Sequence, residues 1–319
     1  MRYRVWTIMT GATLFFLGAA LFFPQEATAR EPGSRLIDHA MGETRVPDAV
    51  ERIVTLEWTY TENVLALGMQ PVGVADIAGY EAWVDIPVAL SRDVVDVGSR
   101  QEPNLELIIA LEPDLIITST LRAAENYDEL TVIAPTLAFD PYPADGSSQY
   151  DEMVSTFTTI AEGLGKSAQA QAVLSELQRT YDRAAGVLAA AELSDNRFVL
   201  AQTYLSGESP VFRLFTDNAM AVEIIARIGL ENTWEDAPGQ YGFSTVDFEG
   251  FAGMEAVNFL YIAQPDAREA ITGAPVWRTL PFVRSGSAHW LGSDVWLFGG
   301  PLSAIELVEA ITEALPARE

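Results

Sequence analysis

Residues 52–76, RIVTLEWTYTENVLALGMQPVGVAD, constrain the fold of this chain more than any other stretch. The pattern predicts a strand at 53–56, a helix from about 60 to 67 that ends at Gly68, and a second strand at 72–75. Two strands joined through a helix pair in parallel, because a tight hairpin connection is not available to them. The sequence therefore predicts an α/β fold with a parallel sheet covered by helices.

The same order of elements recurs in DVGSRQEPNLELIIALEPDLIITS, residues 96–119. Its apolar spacing predicts a helix that Asn104 caps and a buried strand at 114–118. DELTVIAPTLAF, residues 128–139, adds a further helix and strand. Residues 50–140 are therefore predicted to form one α/β domain.

A long helical segment follows this domain. Apolar residues fall at helical spacing over 149–164, Gly165 ends the run, and a second helix is predicted at 168–191. Residues 197–205 are typical of a strand, and helices and strands alternate again to the end. This organisation indicates two α/β lobes, with mainly parallel sheets, joined by one helical crossing.

The first 29 residues are typical of a secretory signal peptide. Arg2 and Arg4 precede a mainly apolar run at 5–23, and small residues at Ala27 and Ala29 form an Ala-x-Ala cleavage site. We expect cleavage after Ala29 and export to the periplasm. The alternative is a retained membrane anchor, since the apolar run approaches the roughly 20 residues that a spanning helix needs.

Charge and cysteine content limit the partners of the exported protein. The net charge of −26 argues against nucleic acid and anionic membranes as partners; the alternative is that it only adapts the protein's solubility to a salty environment. The sequence has no cysteine, which excludes disulfides and thiolate metal ligands and removes the residue that a lipoprotein anchor needs. We expect a mature protein that is not anchored to the membrane.

No constellation of residues supports catalysis. The chain has two histidines, His39 and His289, which is too few for a metal site built on several imidazoles. It contains no Gly-x-Ser-x-Gly nucleophile elbow, phosphate-binding loop or Gly-x-Gly-x-x-Gly dinucleotide motif. The chain is therefore not expected to be an enzyme, and an envelope α/β hydrolase remains the alternative from a different class.

Four stretches together resemble the periplasmic ferric siderophore-binding proteins of the ferric hydroxamate type. They are residues 52–76 and 96–119, WRTLPFVRSG at 277–286 and DVWLFGGPLSA at 294–304. The resemblance implies two lobes bridged by a single long rigid helix, with a shallow ligand cleft between them. The implied divisions are a signal peptide at 1–29, an N-terminal lobe at 30–147, a bridging helix at 148–166 and a C-terminal lobe at 167–319.

The resemblance also implies what the protein binds. Its ligand would be a ferric siderophore, delivered to the permease of an inner-membrane ABC importer. Iron would arrive inside the chelate, so that neither a cofactor nor a protein-bound metal is expected, and the protein would be a monomer. A receptor for cobalamin or haem on the same scaffold is the alternative within this class.

Three cleft residues follow from matching positions. The family's cleft arginine corresponds to Arg100, whose guanidinium can hold the oxygens of a chelate; the alternative is a surface arginine paired with Glu102. The family's cleft tryptophans correspond to Trp83 and Trp296, for which ordinary core packing is the alternative. Residues 295–298 are predicted to form a short strand that places Trp296 and Phe298 on one face.

Departures from the family pattern suggest a different ligand charge. Phe298 stands where the hydroxamate binders carry a tyrosine, and another tyrosine of theirs falls near Leu121 or Arg122. Tyr241 aligns near a family tryptophan and would add a polar ring. Fewer phenols and one more cation favour an anionic chelate, such as a citrate-derived or mixed carboxylate-hydroxamate siderophore. Finally, the resemblance makes Glu106 and Glu249 candidates for docking to the permease, against the alternative of a solvated acidic face.

Overall fold

The computed structural model describes residues 33–144, 147–191, 193, 195–237 and 239–315. The expected signal peptide and its cleavage site therefore lie outside the described residues. Within the described ranges, no helix combines the length and the apolar character needed to cross a membrane.

The N-terminal lobe is built on a five-stranded sheet in which every pairing is parallel, in the order β5-β4-β3-β6-β7. Apart from the edge strand β5, its strands are buried, because helices cover both faces of such a sheet. The parallel α/β architecture predicted from residues 52–76 is confirmed. The strands are β3 (Ile53–Thr55), β4 (Gly73–Val74), β5 (Val95–Asp96), β6 (Leu115–Ser119) and β7 (Thr136–Phe139).

The other elements of this lobe surround the sheet. An antiparallel hairpin of β1 (Ser34–His39) and β2 (Gly42–Pro47) precedes it. The helices are α1 (Trp58–Ala66), α2 (Ile77–Trp83), α3 (Leu105–Ala110), α4 (Thr120–Ala123) and α5 (Tyr127–Ile133). Asn104 caps α3 as predicted, since its side chain accepts a hydrogen bond from the backbone N–H of Leu107.

Two consecutive helices, α6 (Gln149–Gly163) and α7 (Ser167–Ala190), connect the lobes. Met153 of α6 packs in the core of the C-terminal lobe, whereas Phe157 and Ile160 of the same helix pack in the core of the N-terminal lobe. The helix α7 likewise contributes to both cores. The proposed boundaries of the lobes and of a bridging helix at 148–166 stay a prediction.

The C-terminal lobe has a mixed sheet in the order β11-β9-β8-β12-β13, with β10 also on β8. The strands β8, β10, β12 and β13 are parallel, β9 runs against them, and β11 is antiparallel to β9 and so runs in the direction of β8. The strands are β8 (Arg197–Ser206), β9 (Ser209–Phe215), β10 (Glu231–Asn232), β11 (Phe243–Val246), β12 (Asn258–Ala263) and β13 (Ala288–Gly292). The helices are α8 (Met220–Arg227), α9 (Pro265–Gly273), α10 (Pro281–Arg284) and α11 (Pro301–Ala314).

The predicted strand at 295–298 is wrong. The chain leaves the sheet at Gly292, residues 294–296 have no regular structure, and Leu297 and Phe298 form a turn. Backbone groups of this segment bond to the other lobe instead of to a strand, since the carbonyl oxygen of Phe298 accepts from Thr59 Oγ1 at 2.6 Å. The predicted alternation still holds, since Val295 and Leu297 are buried in the core of the C-terminal lobe whereas Trp296 and Phe298 are only partly buried. Trp296 and Phe298 lie together, with ring centroids 5.2 Å apart.

A buried carboxylate joins α1 to α11. Glu62 is fully buried and accepts hydrogen bonds from the backbone N–H groups of Leu302 and Ser303, each at 2.9 Å, and from Ser303 Oγ. A carboxylate at this position also complements the positive N-terminal end of α11. A Cβ atom at Gly299 would collide with Ser303 and Glu62, and one at Gly300 would collide with Asn63. The two glycines therefore allow the segment before α11 to approach α1.

Candidate ligand-binding cleft

A cleft of about 380 Å³ opens between the two lobes. Most of its walls are arginine side chains and aromatic rings, contributed by both halves of the chain. The lining residues are Glu57, Thr59, Tyr60, Arg100, Gln101, Ser119, Leu121, Arg122, Pro141, Tyr142, Arg213, Tyr241, Phe243, Trp296 and Phe298.

The contribution of the N-terminal lobe follows from its parallel sheet. Glu57 lies just after β3, Arg100 after β5, Arg122 in the helix that follows β6, and Tyr142 after β7. The carboxyl ends of parallel strands meet at one edge of a sheet, and ligands of open α/β sheets bind in the crevice there. The topology therefore brings together four side chains that are far apart in sequence.

Arg100 is held on several sides. Its Nη1 donates to Glu57 Oε2 at 3.2 Å, its Nε lies 3.6 Å from Asp76 Oδ2, and its guanidinium lies 3.5 Å from the ring centroid of Trp58. Only 17% of the side chain is exposed. The alternative of a surface arginine paired with Glu102 is thus not what the structure shows, because its ionic partners are Glu57 and Asp76.

Glu57 bridges the two arginines of the N-terminal lobe. Its Oε1 accepts from Nε of Arg122 while its Oε2 accepts from Arg100. The hydroxyl of Ser119 caps the short helix α4 that carries Arg122, by accepting from the Arg122 backbone N–H. The glutamate is 14% exposed and Arg122 is 23% exposed, so this ion-pair network is partly shielded from water.

A third arginine comes from the C-terminal lobe. Arg213 lies in β9 directly opposite Gln202 of β8, and its Nη1 donates to Gln202 Oε1 at 3.0 Å. Its guanidinium lies 4.9 Å from the ring centroids of Tyr204 and Phe243. Among the described residues, no carboxylate lies within ion-pair distance of Arg213, and its buried Nε has no hydrogen-bond partner.

Aromatic rings form the remaining walls. Tyr142 packs edge-on against Tyr241 at 5.3 Å and against Phe298 at 6.3 Å. Burial, followed by the nearby charge of Glu57, raises the pKa of Tyr142 against the opposing influence of the three arginines. Its phenol is therefore neutral at physiological pH and keeps a proton to donate.

Five of the six predicted cleft residues line this cleft: Arg100, Arg122, Tyr241, Trp296 and Phe298. Trp83 is half-buried and packs against Trp296 at a centroid distance of 6.4 Å, outside the lining. The predicted docking residues Glu106 and Glu249 are both exposed, on α3 and on a 3-10 turn at Phe248–Phe251. Their roles in binding and docking stay predictions.

Sequence reasoning missed Glu57, Tyr142 and Arg213. Weak signals pointed to two of the three. Glu57 directly follows a buried strand, and Arg213 is a lone cation in the otherwise apolar run VFRLF at 211–215. Neither signal shows which other residues lie nearby, because the cleft unites parts of the chain separated by more than one hundred residues.

The cleft presents cations, rings and neutral donors to a guest. Within the described ranges, no group of three or more histidine, cysteine, aspartate or glutamate side chains is arranged to hold a metal ion. Arginine forks bind carboxylate oxygens through paired hydrogen bonds, and rings offer rigid apolar area at low cost in entropy. Such a site suits a bulky ligand with anionic oxygens on its surface.

Comparison with known proteins places these features in a family context. The model of a family described as periplasmic binding protein matches residues 53–294. An iron(3+)-hydroxamate-binding protein of Escherichia coli is 30% identical over 274 residues, which are 83% of this chain and 86% of the relative. An Fe(3+)-citrate-binding protein of Bacillus subtilis is 29% identical over 266 residues, covering 82% and 80% of the two chains.

Solved structures agree with this likeness. A siderophore-binding protein of Vibrio cholerae with bound Fe3+-Desferal has a TM-score of 0.75 and 28% identity, over 84% of this chain and 98% of its own. A Staphylococcus aureus protein complexed with staphyloferrin B has a TM-score of 0.66 over 88% of this chain and 98% of its own. At 22% identity, this second likeness concerns the fold alone.

Proposed function

The chain belongs to the periplasmic binding protein family, the non-enzymatic substrate-binding components of ABC importers, and from this premise we propose that it captures a ferric siderophore between its lobes. The loaded protein delivers the chelate to an importer in the inner membrane. The observation that carries the proposal is the interlobe cleft itself, lined by three arginines and a cluster of aromatic rings. Iron is the cargo, enclosed in its chelate.

We further infer that the chelate carries carboxylates. Three arginines face one glutamate in the lining, although the chain as a whole has a net charge of −26. Phe298 supplies a ring without a hydroxyl, and Arg122 supplies a cation. Relatives of comparable similarity bind both kinds of chelate, since the E. coli relative is a hydroxamate binder and the B. subtilis relative a ferric citrate binder.

The proposed roles follow the geometry of the cleft. Arg100 and Arg122 hold anionic oxygens, and Tyr241, Trp296 and Phe298 pack against the apolar part of the chelate. Trp83 supports Trp296 from behind. Glu106 and Glu249, one exposed on each lobe, are proposed contacts for the permease, and the mature protein is proposed to act as a periplasmic monomer after cleavage following Ala29.

A titration series tests this function. The purified protein is titrated with ferric citrate, a neutral ferric trihydroxamate, haem and cobalamin, and binding is followed by calorimetry. We expect the ferric chelates to bind, with ferric citrate favoured, and haem and cobalamin not to bind. Binding of haem or cobalamin alone would contradict siderophore capture. Clear preference for the neutral trihydroxamate would contradict only the inference that the preferred chelate carries carboxylates.

A further inference from the structure

Glu57 occupies an unusual position for a cleft that receives an anion. It is the acidic side chain among the described lining residues, and it already accepts hydrogen bonds from Arg100 and Arg122. An incoming carboxylate therefore meets two arginines whose charge is partly offset by a neighbour. The like charges of Glu57 and of the ligand also repel each other.

Arg213 presents the opposite situation. No carboxylate among the described residues lies within ion-pair distance of it, and one of its buried N–H groups, Nε, has no acceptor, whereas the Nε of Arg100, which also lacks a hydrogen bond, lies 3.6 Å from Asp76 Oδ2. A buried donor without a partner is destabilising, so an acceptor supplied by a ligand is strongly favoured there. The ring centroids of Tyr204 and Phe243 each lie 4.9 Å from the guanidinium.

We propose that these two residues set the charge selectivity of the cleft. Arg213 is the subsite for a carboxylate of the chelate, and Glu57 is an internal counter-ion that limits how much further negative charge the cleft accepts. This inference rests on the proposed function and goes beyond it, because it assigns charge discrimination to two residues that the likeness to hydroxamate binders does not single out.

The positions of Arg213 and Glu57 on different lobes explain why each should affect the binding of anionic ligands selectively. Arg213 belongs to the C-terminal lobe and the Glu57 network to the N-terminal lobe, so an anionic ligand on Arg213 is bound across the cleft. A neutral chelate gains little binding free energy from Arg213 and loses little through repulsion by Glu57. Changes at either residue should therefore act on anionic ligands far more than on neutral ones.

Two substitutions that each replace a charged side chain by a neutral amide test the proposal. Affinities for ferric citrate and for a neutral ferric trihydroxamate are measured by calorimetry at pH 7 for the wild type, Arg213→Gln and Glu57→Gln. We expect Arg213→Gln to weaken ferric citrate binding by about 10-fold, the range of a hydrogen bond to a charged group. Glu57→Gln should strengthen it several-fold, and neither variant should change trihydroxamate binding by more than about 2-fold.

Matched controls separate selectivity from folding. Arg45→Gln in β2 and Glu51→Gln make the same chemical changes at exposed positions outside the cleft lining and should leave both affinities unchanged. Equal losses for both ligands in Arg213→Gln, or weaker ferric citrate binding in Glu57→Gln, would overturn the assignment. Wild-type binding of trihydroxamate without ferric citrate would overturn the subsite and leave siderophore capture intact. Binding of neither ligand would overturn the proposed function itself.

Discussion

At the level of single residues, the planar fork of Arg100 is the feature that a lysine cannot replace. The guanidinium is positioned by Glu57 and Asp76 at its edge and by the Trp58 ring at its face. An ammonium group has neither the planar fork nor the stacking surface.

We therefore expect Arg100→Lys to weaken binding of the preferred ferric chelate by about 10-fold and Arg100→Ala by more. Calorimetric titration measures both. Arg92→Ala, at an exposed position, is the control and should bind as the wild type does. Unchanged affinity in Arg100→Ala would remove Arg100 from the site.

The residues also show how far sequence reasoning reaches. Arg100 and Arg122 were identified because they lie in or beside motifs whose order matches a family. Arg213 lies in no such motif, and its importance arises from what it lacks, a partner carboxylate, which only the folded chain shows. The same holds for Glu57, whose two arginine partners are 43 and 65 residues away in sequence.

At the level of elements, α2 supports the cleft from behind. A Cβ atom at Gly79 would lie 2.5 Å from Cζ2 of Trp58 and 2.6 Å from Oδ2 of Asp76, the two groups that hold Arg100. Gly186 of α7 is also helical, yet a Cβ atom there would meet nothing within 4 Å.

Gly79→Ala should thus lower the free energy of unfolding by about 1–3 kcal/mol through overpacking and should also weaken ligand binding. Gly186→Ala should raise the free energy of unfolding by about 1 kcal/mol and leave binding unchanged. Denaturant unfolding and calorimetry test both variants. Equal effects of the two substitutions would contradict the supporting role of α2.

The hydrogen bonds that Glu62 of α1 accepts from α11 give a second prediction about these elements. Replacing Glu62 by alanine leaves three donors at the start of α11 without their acceptor. The expected loss is about 3 kcal/mol in the free energy of unfolding, measured by denaturant titration. Glu309→Gln, at an exposed position of the same helix, should change it by less than about 0.5 kcal/mol.

The raised pKa of the same carboxyl group predicts that the free energy of unfolding depends on pH. Burial raises the pKa of Glu62 above its usual 4.5, and hydrogen bonds from residues 300–303 offset the shift only in part. Between pH 4.5 and the native pKa, the Glu62 carboxyl group therefore keeps its proton in the native state and has lost it in the unfolded state. The stability that this group contributes is fully present below pH 4.5 and is lost as the pH rises through the native pKa. Unfolding free energies measured from pH 4 upward should fall more steeply in the wild type than in Glu62→Gln. Identical slopes would contradict a raised pKa.

Elements differ in how well the sequence predicts them. Within residues 52–139, the sequence predicts β3, α1, β4, α3, β6, α5 and β7, because buried parallel strands and amphipathic helices have strong local patterns, but it misses the short elements α2, β5 and α4. The strand predicted at 295–298 was wrong, because alternation of four apolar residues also occurs where the chain turns at Leu297 and Phe298 without pairing to a strand. What distinguishes a strand is the partner of its backbone groups, and here the carbonyl oxygen of Phe298 bonds to Thr59 of the other lobe, as the neighbouring Asp294 carbonyl oxygen does to Asp85.

At the level of the whole molecule, the lobes are joined behind the cleft as well as through α6 and α7. Besides the Glu62 and Thr59 bonds, the backbone N–H of Asp85 donates to Asp294 at 3.0 Å, and Gln264 Nε2 donates to the carbonyl oxygen of Ala82 at 2.9 Å. Closing the cleft by a large rotation would break these bonds.

We therefore expect the radius of gyration, measured by small-angle X-ray scattering, to be the same with and without the preferred ferric chelate. The control is a mixture with a non-binding chelate at equal concentration, which accounts for the scattering of added solute. A smaller radius only with the preferred chelate would show lobe closure and contradict a rigid connection.

The bonds behind the cleft also bear on how much iron a cell gains from each receptor. A protein that keeps one outline whether full or empty offers the importer the same docking surface in both states. Empty copies then compete with full ones for a limited number of transporters. Uptake would follow the fraction of receptors that carry cargo, so that making more receptor at constant chelate supply slows import instead of speeding it.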